Sequence, residues 1–315
     1  MKMFEKSLEE RASLIRDPEE TCIRLFSGMY GNEDSMTIDL YGEYVLFQNF
    51  TDDNFFMDLS FLHEYLNMLL EKNITVRGVL AKDRRKTSDL KNLMDFRKST
   101  LLYGEFPPDD YTVKHLGCSF SVDLVNSQHT GLFADMRNAR RRLAPFYSPS
   151  SRMLNLFCYT GAFSVHALKN GIMSAVNVDL SKNILSKAKH NYLLNGLSSD
   201  DRDFIHEDSL AALKYLTRKN RKFNFAVFDP PTFSRNKKGT FSIDKNYADY
   251  LDRIYNLLED EGLLFSCINT YNISREEYLH FHSGKWELLF LEHEAEDFIS
   301  GPDRYLKCGL WRKVD

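Results

Sequence analysis

The first third of the chain alternates short apolar runs with polar turns. Strand-like runs are predicted at 22–26, 36–40, 44–48, 74–80 and 119–124. The residues Tyr41-Gly42-Glu43 supply a turn that joins two of these runs into a hairpin. Apolar residues spaced near 3.6 predict a helix over 56–70, and residues 1–20 indicate an exposed lead-in helix of mixed charge. Residues 21–118 are therefore predicted to form a small mixed α/β domain.

The pattern changes after residue 150. Strands are predicted at 153–157, 174–178, 203–206, 225–228 and 263–267, with helices at 162–169, 181–194, 210–217 and 247–258. Five strands that alternate with four helices favour a parallel sheet with helices on both faces. The runs 286–293 and 305–312 have no predicted helix between them, so they indicate a closing antiparallel pair. The predicted fold class is α/β, with a Rossmann-like sheet over 151–315 and a connecting strand and loop over 119–150.

Composition narrows the functional classes. The 315 residues carry 41 Lys and Arg against 45 Asp and Glu, a net charge of −4, which excludes a protein covered in basic surface. Any contact with a polyanion must then come from a local patch. The five cysteines form no C-x-x-C and the nine histidines show no ligand spacing, so neither a disulfide framework nor a metal is expected. The charged start and the absence of a long apolar run favour a cytoplasmic protein.

Candidate ligand residues follow the first predicted strand, because ligands of open α/β sheets bind beyond the carboxyl ends of the strands. The residues selected in this turn are Asn155, Phe157, Tyr159, Thr160 and Gly161. The turn has one glycine where a dinucleotide site has G-x-G-x-x-G. This difference argues against a nicotinamide-dependent oxidoreductase, which is the second functional hypothesis.

Three further strands end in an aspartate. Asp179 is placed to accept hydrogen bonds from both hydroxyls of a ribose. Asp208 is placed to accept a hydrogen bond from the amine of an adenine, and Asp229 begins the sequence Asp-Pro-Pro. Leu180 and Ser209 adjoin the first two and complete the predicted set. Each aspartate alone is more often a helix cap than a ligand. Together they indicate a pocket for an adenosine with a zwitterionic tail and no phosphates, which is S-adenosylmethionine.

Four segments carry a family resemblance. They are 129–137 (HTGLFADMR), 154–161 (LNLFCYTG), 177–179 (NVD) and 229–234 (DPPTFS) with Lys237. In these segments the sequence resembles the class I S-adenosylmethionine-dependent methyltransferases, specifically the bacterial 23S rRNA enzymes that modify guanine N7 or cytosine C5. It is most similar to the guanine-N7 member, usually the C-terminal half of a two-enzyme fusion, and the similarity covers nearly the whole chain.

The resemblance implies further roles. In that family the loop before the Rossmann-like domain folds over the cofactor, which implies contacts from Phe133, Asp135 and Arg137. Arg137 would pair with the carboxylate of the cofactor. The implied partner is 23S-type ribosomal RNA or a pre-ribosomal particle.

The chemistry of the reacting base leaves two products open. Asp229 and Pro230 form a rigid turn at the mouth of the site, and Phe233 is placed to stack on an extruded base. Guanine N7 carries a lone pair in the plane of the ring and needs only alignment with the methyl group. Cytosine C5 reacts only after a thiolate adds to C6, and Cys267 lies where the C5 relatives carry that nucleophile. A third hypothesis is a noncatalytic RNA-binding factor that retains the fold.

RNA binding requires positive charge near the predicted cleft. The selected residues are Lys82, Arg84, Arg85, Arg140, Arg141, Lys237 and Lys238. A run of charges is often only a solvated surface. If these residues bind RNA, the affinity should fall as the salt concentration rises.

Overall fold

The structure, a computed structural model, describes residues 1–28, 36–50, 59–84, 98–236, 239–298 and 304–314. It divides into two compact units, Met1–Asp135 with Ala295–Pro302, and Met136–Glu294 with Asp303–Asp315. The division along the chain falls after Asp135. The cause is packing, because Ala139 and Leu143 belong to the core of the second unit.

The first unit contains a five-stranded sheet. Its helices are α1 (Lys2–Glu10), α2 (Ala12–Ile15) and α3 (Leu59–Glu71). The sheet strands, in spatial order, are β1 (Cys22–Ser27), β2 (Met36–Tyr41), β3 (Tyr44–Asn49), β4 (Gly78–Asp83) and β5 (Thr100–Gly104). The strands β6 (Thr112–His115) and β7 (Cys118–Ser121) form a separate antiparallel hairpin. Strands β3 and β4 are parallel, and the other neighbours in the sheet are antiparallel.

Two sequence predictions for this unit have different outcomes. The hairpin is confirmed, since Tyr41 pairs with Tyr44 across a turn in which Gly42 has a φ of 61°. The lead-in helix is present as α1, but it is not exposed on all sides, because Phe4 and Leu8 are buried. The ring of Phe4 lies 4.5 Å from that of Phe26 in β1, so the helix forms part of the core.

The second unit contains a seven-stranded sheet. Its helices are α4 (Arg137–Leu143), α5 (Ala162–Lys169), α6 (Lys182–Leu194), α7 (Ser209–Arg218), α8 (Ile243–Leu257) and α9 (Arg275–His280). Its strands are β8 (Arg152–Leu156), β9 (Ser174–Asp179), β10 (Phe204–His206), β11 (Phe223–Phe228), β12 (Phe233–Asn236), β13 (Gly239–Ser242), β14 (Leu258–Asn269), β15 (Trp286–Glu292) and β16 (Leu306–Lys313). The large sheet has the order β10-β9-β8-β11-β14-β16-β15, and β12 pairs with β13 in a separate hairpin.

The large sheet is parallel from β10 to β14. Strand β16 is antiparallel to both β14 and β15, so the predicted antiparallel closing pair is confirmed. The last strand of the chain lies between two earlier ones, which the sequence pattern did not indicate. Residues of β14 alternate between two cores: Leu264 and Ile268 pack on the face of α7 and α8, whereas Phe265 and Cys267 pack on the face of α4 and α5. None of the helices in the described ranges is both long enough and apolar enough to cross a lipid bilayer.

Candidate cofactor and acceptor site

The turn after β8 is built from left-handed backbone. Phe157, Tyr159 and Gly161 have φ angles of 54°, 49° and 78°. A residue with a side chain adopts this conformation at a cost, and such strain is concentrated at functional sites. The turn is held from α6, because the side-chain amide of Asn191 donates to the backbone carbonyl of Thr160 at 3.0 Å.

A buried polar network lies beneath this turn. The Asn155 amide donates to the Ser164 hydroxyl at 2.8 Å, and that hydroxyl donates to the Asn177 carbonyl oxygen at 2.7 Å. The Asn177 amide in turn donates to the Tyr192 hydroxyl at 2.8 Å. Asn155, predicted as a cofactor ligand, is instead a fully buried member of this network. Its side chain therefore positions the turn, joining β8 to α5, β9 and α6.

The sequence carries a signal for this network. Asn155 and Asn177 interrupt otherwise apolar strands, and a buried amide must find hydrogen-bond partners. The pattern of apolar and polar positions does not show which residues are the hydrogen-bond partners of these amides.

Asp179 lies at the end of β9 with its carboxylate facing the turn. One oxygen accepts from the Tyr159 amide at 3.1 Å and the other from the Ser181 amide at 2.9 Å. Burial raises the pKa of this carboxyl, and the backbone hydrogen bonds oppose the rise. Each carboxylate oxygen has a second lone pair, so the group fits a ligand with two adjacent hydroxyls, such as a ribose. The neighbouring Leu180 is exposed and offers an apolar surface beside it.

Asp208 caps a helix. Its carboxylate accepts from the amides of Leu210 and Ala211 at 3.0 and 3.2 Å, and it precedes the buried Ser209 that starts α7. This is the usual role of an aspartate at an N-cap. The contact from Asp208 to an adenine amine stays a prediction.

The Asp-Pro-Pro turn follows β11, the strand next to β8. Asp229 is half-buried, Pro230 is buried and Pro231 is exposed. The Thr232 hydroxyl donates to the backbone carbonyl of Asn269 at 2.7 Å, which ties this turn to the end of β14. The carboxyl ends of β8, β9, β11 and β14 thus bring the predicted turn residues and aspartates to one edge of the sheet.

The backbone of Phe233 begins β12, where it pairs with Ser242 of β13. Its stacking on a base stays a prediction. Arg85, Lys237 and Lys238 lie outside the described residues.

Cys267 lies near the carboxyl end of β14, one residue after Ser266, which pairs with Phe228 at the end of β11. Its side chain is 0% exposed, and it pairs across the strands with Cys308, which is also buried. Phe225 and Phe265 belong to the same core cluster. The thiol is covered in this conformation, which disfavours its attack on C6. That role of Cys267 stays a prediction.

The residues implied by resemblance to cover the cofactor divide between the two units. In the first unit Phe133 is exposed and its ring lies 5.6 Å from that of His129, whereas Asp135 is buried. In the second unit Arg137 is fully buried at the start of α4. A buried guanidinium requires oxygen acceptors around it. Contacts from all three residues to the cofactor stay predictions.

Lys82 and Arg84, which are predicted to contact RNA, make hydrogen bonds within the first unit. Lys82 is 0% exposed and donates to the carbonyl of Ser127 at 2.6 Å, and burial lowers its pKa to about 8. Arg84 donates to the Gln48 side chain at 2.9 Å and to the carbonyl of Gln128. Both cations therefore hold the backbone immediately before the 129–137 motif.

Arg140 and Arg141 have opposite environments. Arg140 is buried, and its guanidinium carbon lies 4.8 Å from the ring centroid of Phe163, which disfavours the predicted contact with RNA. Arg137 and Arg140 are three residues apart, which places both on the buried face of α4. Arg141 is exposed and stays a candidate.

The strand order, the single-glycine turn and the strand-end aspartates define a class I methyltransferase fold. The family model described as "S-adenosylmethionine-dependent methyltransferase" matches residues 67–303. The chain belongs to this family. The cofactor of this family is S-adenosylmethionine, whose ribose carries the two adjacent hydroxyls that the Asp179 carboxylate is suited to bind.

Two curated relatives extend the comparison. The chain is 32% identical over 262 residues to ribosomal RNA large subunit methyltransferase I of Aeromonas hydrophila, with 82% of this chain and 64% of the relative covered. It is 31% identical over 235 residues to ribosomal RNA large subunit methyltransferase K of Neisseria meningitidis, with 73% and 64% covered. The chain thus spans less than two thirds of the length of these relatives.

A solved structure has the same fold over nearly the whole chain. SMU.776, a candidate methyltransferase crystallised with S-adenosylhomocysteine (SAH), matches with a TM-score of 0.84 at 27% identity. The match covers 99% of this chain and 80% of that one.

Proposed function

We propose that this chain methylates guanine N7 in large-subunit ribosomal RNA with S-adenosylmethionine as the methyl donor. The ribosomal substrate is supported by the two curated relatives, whose names assign them to that RNA. The choice of guanine N7 depends on one observation, the burial of Cys267 in the sheet core.

The two candidate products need different groups from the protein. S-adenosylmethionine, when bound, supplies an electrophilic methyl group on a sulfonium. Guanine N7 attacks with its own lone pair and loses no proton, so alignment of the base is sufficient. Cytosine C5 requires an exposed thiolate. All five cysteines of the chain are described and buried, which favours guanine.

The residues of the second unit then divide by role. The Asp179 carboxylate would accept hydrogen bonds from the ribose hydroxyls. The turn over 157–161, held by the Asn155 network, would line the cofactor. Asp229 and Pro230 would hold the acceptor base in line with the methyl group, with Phe233 stacked on its face.

RNA would be held by exposed cationic side chains. Arg141 is one candidate. Arg85, Lys237 and Lys238, which lie outside the described residues, stay predictions. Lys82 and Arg140 are not among these side chains, because both are buried. Arg84 is half-buried and bonds Gln48 and Gln128.

Nucleoside mass spectrometry tests the proposal. Unmodified large-subunit rRNA would be incubated with S-adenosylmethionine and wild-type protein, Cys267→Ala or Cys308→Ala. Cys308 is the matched control, since it faces Cys267 in the same core. We expect 7-methylguanosine from all three proteins, with equal loss of thermal stability in the two variants. Formation of 5-methylcytidine that disappears only in Cys267→Ala would overturn the choice of guanine. No methylation of any RNA by wild type would overturn the function itself.

A further inference from the structure

Two tyrosines meet beyond the carboxyl end of β14. Tyr271 follows the strand by two residues and is 53% exposed. Its ring centroid lies 6.2 Å from that of Tyr305, with the ring planes at 63°. Tyr305 directly precedes β16, the neighbour of β14 in the sheet. The pair therefore lies at the same edge of the sheet as the Asp-Pro-Pro turn.

The backbone that carries Tyr271 is fixed from two sides. The Lys307 ammonium of β16 donates to the Thr270 carbonyl at 2.6 Å. The Thr232 hydroxyl donates to the Asn269 carbonyl at 2.7 Å from the side of the Asp-Pro-Pro turn. An aromatic ring presented to solvent on a held backbone loses little conformational entropy when a ligand stacks on it.

The positive charge at the backbone that precedes Tyr271 favours a nucleotide as the ligand. Lys307 places a cation next to the residue that precedes Tyr271, and this cation suits a phosphate. An aromatic face next to a cation is the combination by which proteins hold single-stranded nucleic acid. An apolar protein partner would gain from the rings but would bury the ammonium at a cost.

We propose that Tyr271, supported by Tyr305, stacks on an RNA base that flanks the target nucleotide. The inference rests on the proposed function and extends it, because it adds a second base-binding position to the acceptor side of that site. Stacking on a flanking base holds the strand while the target is extruded.

Three variants test the pair. Tyr271→Ala removes the ring, Tyr271→Phe keeps it without the hydroxyl, and Tyr215→Ala removes an exposed tyrosine from the last turns of α7, at the opposite edge of the sheet. The measurements are KM for unmodified large-subunit rRNA, the Kd for S-adenosylmethionine, and quenching of single-stranded RNA that contains 2-aminopurine.

Loss of one stacked base should raise the KM for RNA about 5- to 100-fold in Tyr271→Ala. The Kd for S-adenosylmethionine should stay within about twofold, and quenching of 2-aminopurine should decrease. Tyr271→Phe and Tyr215→Ala should behave as wild type. Methylation by wild type together with an unchanged KM and unchanged quenching in Tyr271→Ala would overturn this inference alone. Absence of any RNA methylation by wild type would overturn the proposed function and, with it, this inference.

Discussion

The Asp179 carboxylate accepts a hydrogen bond from the backbone amide of Tyr159 at 3.1 Å. The end of β9 is thereby joined to the strained turn after β8. The same carboxyl group that is suited to a ribose also fixes the turn that would line the rest of the cofactor. One side chain would thus both bind the ribose and hold the turn after β8 in position.

Asp179→Ala should weaken S-adenosylmethionine binding by about 1–3 kcal/mol, because a polar ligand group loses its partner. Isothermal titration calorimetry would measure the change. Asp208→Ala is the comparison. The Asp208 carboxylate accepts hydrogen bonds from two amides of α7, so its loss should lower the melting temperature. The Kd for S-adenosylmethionine should change less than in Asp179→Ala. An unchanged Kd in Asp179→Ala would refute the ribose role.

Ser164→Ala should destabilise the second unit by about 2–3 kcal/mol, since the Asn155 amide and the Asn177 carbonyl oxygen both lose their buried partner. Urea denaturation would measure the free energy of unfolding. Ser186→Ala is a matched control, because Ser186 bonds only one backbone carbonyl on an exposed helix surface. Equal effects of the two substitutions would contradict the importance of the network.

His282 should make the stability dependent on pH. It is buried, with Nε2 at 2.8 Å from the Ser266 hydroxyl and Nδ1 at 2.9 Å from the Tyr278 carbonyl, and its ring stacks on Trp311 at 4.0 Å. Burial lowers its pKa from 6.5 to about 4. The unfolded chain therefore binds the proton first as the pH falls, so stability should decrease between pH 6.5 and 4.

The expected loss from His282 over that interval is about 3 kcal/mol. Denaturant unfolding at several pH values would measure it, and the slope attributable to this residue should disappear in His282→Gln. The exposed His280 serves as the control, because His280→Gln should leave the pH dependence intact. A pH dependence that persists unchanged in His282→Gln would show that other groups cause it.

The thiols should be unreactive in the native protein. All five cysteines are buried, and burial raises the pKa of Cys158 well above its usual range. A thiol must be exposed and ionised to react. We expect Ellman's reagent to label five thiols only after unfolding. Rapid native labelling of Cys267 would reopen the cytosine reaction.

Arg141→Ala should weaken RNA binding and reduce the slope of log K against log salt by about 1, as for one lost phosphate contact. Lys82→Met should leave that slope unchanged, because Lys82 bonds Ser127 inside the first unit. Fluorescence anisotropy with single-stranded RNA at 50–300 mM salt would compare them. A reduced slope in Lys82→Met alone would reverse these assignments.

The sheet of the second unit could be predicted because alternation of apolar strands and helices is a local property. Helix α5 begins and ends at the predicted residues, and Ser181 caps α6 by accepting from the Ile184 amide. Insertion of β16 between β14 and β15 is not local, since it depends on contacts between strands far apart in sequence.

The candidate site was only partly predictable for a similar reason. The position of Asp179 followed from the end of a strand. The burial of Lys82, Arg140 and Cys267 depends on packing from other elements, which residue type and spacing do not reveal. For Arg140 a weak signal existed, because it shares a helix face with Arg137. The sequence does not identify Tyr271 as a site residue, because an isolated tyrosine after a strand belongs to no recognisable motif.

The position of β16 also has a consequence for how the protein is made. Strands β14 and β15 are synthesised first, but they do not pair with each other. Each pairs with β16, which comes later in the sequence and lies between them. A chain cut short within β16 would leave one edge of β14 and the whole of β15 unpaired, and unpaired strand edges promote aggregation. The large sheet can therefore be completed only after β16 has been synthesised.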